Sequence, residues 1–236
     1  HNEDNLTKVM LGTLFNTAAV ALGSTIGLLF RKHITSENQT QILTIFGIFT
    51  IALSINMMSE MASPIDIFIA LIIGSVLGQT LSLHSKLSSF TAKLNMGTGF
   101  TKASVLFCVG GLTVIGCMEE GISSNYRLLY IKGIMDLISS VFLAAALGRG
   151  VLFSALGVLI FQGSLSFLFF SIGSNIPADL IIDLTATGGI LLLALGLDLS
   201  NIKKFNILDL LPALVILPII NLLHSLIKLS THGLGI

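Results

Sequence analysis

The sequence predicts an all-α, polytopic integral membrane protein. It should have about eight transmembrane helices, the last three repeating the first three in inverted topology. Three observations carry this expectation. Of 236 residues, 53% are hydrophobic and only 10% are charged, against roughly 25% charged in a soluble domain. Apolar runs near the roughly 20 residues needed to cross a bilayer recur along the whole chain. Gly47–Asn56 (GIFTIALSIN) returns as Gly189–Asp198 (GILLLALGLD).

Residues 1–9 are polar and read as a leader or expression remnant, with Met10 the expected native start. The first repeat occupies 10–83, with spans at 10–30, 41–59 and 64–83. A linker at 84–99 follows. Leu87, Phe90 and Leu94 recur there at helical spacing between Lys86 and Lys93, as in an amphipathic helix on the cytoplasmic surface or a plain helical linker. Two central spans, 100–118 and 127–147, fill 100–147. Gly148-Arg149-Gly150 then turns the chain into the second repeat, 150–228, with spans at 150–173, 180–199 and 207–228. Residues 229–236 form a tail.

The repeat extends beyond its central block. Gly12–Asn16 matches Gly150–Ser154, Gly23-Ser24 matches Gly163-Ser164, and Asp66–Ile73 matches Asp209–Ile216. Spans one to three therefore match spans six to eight. An offset of five spans inverts the second copy in the membrane, a recurrent architecture of transporters.

Lys and Arg set the orientation. With the first loop cytoplasmic, the inside holds Arg31, Lys32, Lys86, Lys93, Lys102, Arg149, Lys203 and Lys204, and the outside holds Lys8, Arg127 and Lys228. Both termini are then expected outside. Net charge is zero, which gives no basic field for nucleic acid. The chain lacks HExxH, Walker and GxSxG patterns, and its His and Cys residues, Cys108 and Cys117 included, lack metal-ligand spacing. Neither an enzyme, a cofactor nor a metal is expected.

Intramembrane polar groups are costly and mark candidate sites. Lys132 and Asp136 stand one helical turn apart on span five. They are either an internal ion pair fixing helix packing or a substrate or proton site. Asn56 and Asp198 are equivalent repeat positions toward opposite membrane faces, either pathway groups or helix-terminal caps. Asn16 and Gln162 lie within apolar runs and should face other helices, as should Gln79. Asp66 and Asp209 open spans three and eight, where carboxylates cap helix N-termini. Glu119-Glu120 reads as a solvated pair ending span four, or a cation-attracting vestibule. Gly188-Gly189 could break span seven or allow close packing, and Gly23/Gly27 form a GxxxG packing face.

The segments Met10–Thr17, Gly23–Gly27, Gly99–Ser104 with Phe107–Gly110, Lys132-x-x-x-Asp136, Phe153–Ala155 with Gln162-Gly163, and Ala186–Gly189 together resemble a bacterial inner-membrane family, domain of unknown function 554, with YdfK- and YqgA-like members. The resemblance implies a bacterial plasma-membrane protein and carries over neither a substrate nor catalytic residues. The expected function is a small-solute or ion transporter or channel. Its candidate pathway residues are Asp136, Lys132, Asn56, Asp198, Gln162 and Asn16. The alternative is a non-transporting scaffold or partner subunit. The lipid bilayer and an unidentified solute or ion are the expected partners. A homodimer is also expected, through spans four and five or the small-residue faces.

Overall fold

The computed structural model describes residues 10–93, 96–109, 111–172 and 176–233, with 225–233 by backbone alone. The leader 1–9, Leu94, Gly110 and the last residues of the tail lie outside this set. Among the described residues there are ten α-helices and no strand. They are α1 (Leu11–Phe30), α2 (Ser36–Met57), α3 (Pro64–Thr80), α4 (Leu83–Lys93), α5 (Gly97–Cys108), α6 (Gly111–Ser123), α7 (Arg127–Leu147), α8 (Gly150–Ile172), α9 (Ala178–Leu199) and α10 (Ala213–Gly233).

Among the described residues, six segments are long and apolar enough to cross a membrane alone: Leu11–His33, Ser36–Met57, Arg127–Leu147, Gly150–Ile172, Ala178–Leu199 and Ile207–His224. Two bent pairs raise the number to eight if each counts as one span. These are α3 with α4, bent by 52°, and α5 with Leu112–Ser123, bent by 60°. The sequence marks two of the helix starts plainly. Thr35 caps α2 by accepting from the Asn38 amide at 3.3 Å, and Pro64 occupies the first turn of α3, where its missing N–H costs nothing.

Three expected spans differ in detail. Span three stops as a helix at Thr80, and the chain turns through Ser82 at φ 53° into α4. Span four is two helices of 12 and 13 residues, about 18 and 20 Å long, too short to cross singly. Span eight opens with a 3₁₀ turn at Ile207–Leu210, and its α-helix starts only after Pro212. Gly188-Gly189, a candidate break, lies within the unbroken α9.

Polarity is distributed inside out. Leu22, Leu29, Ile48, Ile65, Phe68, Ile160 and Val215 are exposed, whereas Thr13, Asn16, Ser24, Thr50, Ser54, Ser140, Gln162 and Ser166 are fully buried. A lipid-facing surface can carry large apolar groups, and polar groups in such a chain find partners on neighbouring helices. Glycine sets the closest approaches. Gly23 and Gly27 face the Leu137 and Val141 carbonyls so tightly that a Cβ on either would collide with α7. The GxxxG face is thus consumed inside the chain and is not available for a homodimer. Gly47 of α2 packs on Gly196 and Ser200 of α9, and Gly189 of α9 packs on Ser54 and Met57 of α2. Helix α1 also packs on α8, and α3 on α10. The main core lies between these layers, from Val20 and Phe107 through Leu143, Val158 and Leu195.

Candidate solute site at a helix break

The interruption of span four lies between Val109 and Gly111. Any helix end leaves carbonyls or amides without an intrahelical partner. One is satisfied across the break, where the Thr113 hydroxyl donates to the Phe107 carbonyl at 3.1 Å. The sequence is glycine-rich here, and each glycine is about 1 kcal/mol less favourable in a helix than alanine. Gly188 lets α9 come close to the broken end: a Cβ at Gly188 would stand 2.5 Å from the Val109 carbonyl oxygen. Gly188 therefore accommodates a break in its neighbour, while Gly189 faces Ser54 and Met57.

Lys132 and Asp136 lie on α7 beside this break. They are 4% and 8% exposed and form a direct salt bridge from Nζ to Oδ2. A cavity of about 160 Å³ opens against them, lined also by Asn56, Thr50 and Ser139, and by Leu106 and Leu112 from the two sides of the break. Asn16 is buried on α1 and directed at the Asp136 carboxylate, though neither amide atom completes a well-formed hydrogen bond. Gly133, one turn from Asp136, permits this approach, since its missing Cβ would meet Phe15 and the Asn16 Cα.

Gln162 is fully buried on α8 with neither amide atom paired among the described residues. Its level follows from its neighbours. Gly157 packs on Ser104 of α5, and Gly121 of α6 packs on Ser166 and Phe170. Gln162 is therefore level with the break, which lies between those two contacts. Unpaired buried amides are rare, and two of them flank this region.

Asp198 is placed elsewhere. It pairs with Lys102 of α5 at 2.9 Å, in a second cavity of about 470 Å³ bordered by His84, Thr98, Thr101 and Lys204. Of the six residues read from sequence, Asn56, Lys132 and Asp136 line one cavity. Asn16 adjoins it, Gln162 sits at its level on α8, and Asp198 belongs to a different one.

Other carboxylates correct the sequence reading. Glu120 is not a solvated loop residue but fully buried. It accepts from the Thr13 amide at 3.0 Å, the Thr13 hydroxyl at 2.6 Å and the Ser166 hydroxyl at 2.6 Å. The expected span ended at 118, whereas α6 continues to Ser123 and carries Thr113, Cys117 and Glu120 inward. Asp209 does not cap its own span. It accepts from the His84 amide at 3.0 Å and so caps α4. Asp66, in the first turn of α3, pairs with His224 Nδ1 at 3.2 Å. Asp183, which the sequence reading passed over, accepts from the Ala62 and Ser63 amides at 2.8 and 3.0 Å and closes the start of α3.

The profile of the family described as "Protein of unknown function (DUF554)" matches residues 11–222. The chain is similar to the uncharacterized membrane protein YdfK of Bacillus subtilis (strain 168), with 37% identity over 218 residues, 89% of this chain and 95% of that protein. It is also similar to the uncharacterized protein YqgA of Escherichia coli (strain K12), with 26% identity over 222 residues, 88% of this chain and 94% of that protein. No solved structure matches the chain. A membrane protein by composition and by this kinship, with a buried ion pair at a broken helix, the chain belongs to the DUF554 family.

Proposed function

We propose that this protein is a small-solute or ion transporter or channel of the bacterial inner membrane, built on two inverted repeats. The observation that carries the reading is the cavity at the helix break, where Asn56 and the buried Lys132–Asp136 pair share a wall with both halves of span four. Broken helices beside intramembrane polar groups bind substrates and ions in several transporter folds, and a buried charge pair costs several kcal/mol per ion to desolvate.

Three further observations support the inverted repeat. Each of the three helices of repeat one packs on its sequence-equivalent in repeat two. The contact of Gly47 with Gly196 is mirrored by that of Ser54 with Gly189, the positions that the repeat pairs with them. Asn56 and Asp198 also each share a cavity with a lysine of the central spans, Lys132 and Lys102. In this reading the pathway connects these cavities, both termini lie outside, and any homodimer forms through span five, where Ile131, Ile134, Ile138 and Phe142 are exposed. The chain acts on its solute by moving it, without enzymatic chemistry.

The scaffold alternative is favoured by one observation: both ion pairs are already closed within the chain. Flux in proteoliposomes decides between them. Transport predicts flux of at least one member of a panel of ions and small metabolites, reduced by Asp136→Asn and by Asp198→Asn. No flux across the panel, or a flux indifferent to both substitutions, supports the scaffold.

A further inference from the structure

We infer that the cavity at the helix break takes a small zwitterion, an α-amino acid with an apolar side chain. The inference rests on the transport reading for its purpose but on the cavity alone for its chemistry.

The first observation is charge balance. Lys132 and Asp136 are both nearly buried and sum to zero. A net cation or anion entering this region would leave one buried charge without a counterpart, the costly situation for an ion removed from water. A zwitterion leaves the sum at zero. Its carboxylate takes the place of Asp136 beside Lys132, its ammonium takes the place of Lys132 beside Asp136, and each buried charge stays paired.

The second observation is the break itself. Residues from both sides of it, Leu106 of α5 and Leu112 of α6, line the cavity. The carboxyl end of α5 and the amino end of α6 carry opposite partial charges close to it, a field that favours a dipole over a single charge. Asn56 and the Asn16 amide beside Asp136 add neutral donors and acceptors.

The third observation is shape. The remaining wall is mostly apolar, from Phe46, Phe49, Leu53, Met57, Met135 and Leu192, with two hydroxyls, Thr50 and Ser139. It fits a mainly hydrocarbon side chain. At about 160 Å³ the cavity falls below the range of about 300–1,000 Å³ that holds drug-sized ligands. Size and polarity together select a dipolar head with a short apolar tail.

The test is ligand binding to the full chain in detergent, followed by calorimetry and thermal melting. The probes are L-leucine, L-valine and L-methionine, then leucinamide, which keeps only the ammonium, and 4-methylpentanoate, which keeps only the carboxylate. At least one amino acid should bind, and both single-charge analogues should bind at least about tenfold more weakly, because each leaves part of the site unpaired. Because a single charge removal can prevent folding, the control is the double variant Lys132→Met with Asp136→Leu. It should melt cooperatively and lose binding at least about tenfold. Binding of either analogue as tight as the amino acid, binding retained in the double variant, or no binding of any of the three amino acids overturns the inference. Ion flux without amino-acid binding sinks this inference and spares the transport reading. Amino-acid binding without flux of any solute does the reverse.

Discussion

Glu120 and Thr13 are joined twice: one carboxylate oxygen accepts the Thr13 amide and the other its hydroxyl, across 107 residues of chain. Thr13 is in the first turn of α1, where amides lack intrahelical acceptors and a negative charge is favoured. Glu120 thus closes the amino end of α1 from α6, and through Ser166 it also holds α8. Removing the carboxylate leaves buried donors unpaired, at about 1–3 kcal/mol. Glu120→Leu should lower the melting temperature by several degrees, more than Ser166→Ala does. Equal melting of Glu120→Leu and wild type would show that these bonds contribute nothing net.

The Lys132–Asp136 pair should behave as a unit. Either Lys132→Met or Asp136→Leu strands one buried charge and should cost about 3–5 kcal/mol. The double variant should recover most of that loss. Melting curves of the four proteins give the coupling directly, and additive losses would contradict the pairing.

Gly188 makes room for the Val109 carbonyl. Gly188→Val should overpack the contact and destabilise by about 1–3 kcal/mol. At Gly157 the nearest atom is the Ser104 hydroxyl, 3.0 Å from a Cβ, and a hydroxyl can rotate away. Gly157→Ala should therefore be mild. The reverse order in melting temperature would place the tight contact elsewhere.

Asp183 holds the amides of Ala62 and Ser63, and Asp183→Ala should cost about 0.5–2 kcal/mol, as lost helix caps do. Hydrogen exchange at Ala62 and Ser63 should quicken, while exchange within α7 stays unchanged. Protection unchanged at both amides would count against the cap.

Cys108 and Cys117 are buried, so the native chain offers little background for thiol labelling. In intact cells a membrane-impermeant maleimide should label Glu60→Cys readily. Lys32→Cys should react only after permeabilisation. The opposite pattern would reverse the orientation given by the Lys and Arg count.

Which parts of this molecule the sequence discloses follows from the range over which each signal acts. Hydropathy is local, so the helices of all the apolar runs and the hairpin at Gly148, φ 86°, are legible, as is the i,i+4 relation of Lys132 to Asp136. Charge pairing across the fold is not local. Lys102 shows no sign in sequence of its bridge to Asp198, and Asp183 no sign of the loop it caps. Gly188-Gly189 sit mid-span, where sequence alone leaves both a break and close packing open. In fact α9 stays whole because its glycines face Ser54, Met57 and Val109, and the interruption falls where Val109 ends α5. Glu120 was misplaced for a simpler reason, since a span drawn five residues short turns an interior carboxylate into a loop residue.

The contact of Gly23 and Gly27 with the Leu137 and Val141 carbonyls fixes more than packing. Sliding α1 by one turn along α7 would bring Ala19 to the place of Gly23, and its methyl group would strike the Leu137 carbonyl. The two helices are therefore locked in register like meshed gear teeth, and Asn16 and Asp136 ride on the same rigid block. Any motion that opens the ion pair to water therefore has to come from the other walls of the cavity: α2 with Asn56 and the phenylalanines, or the two halves of span four with Leu106 and Leu112.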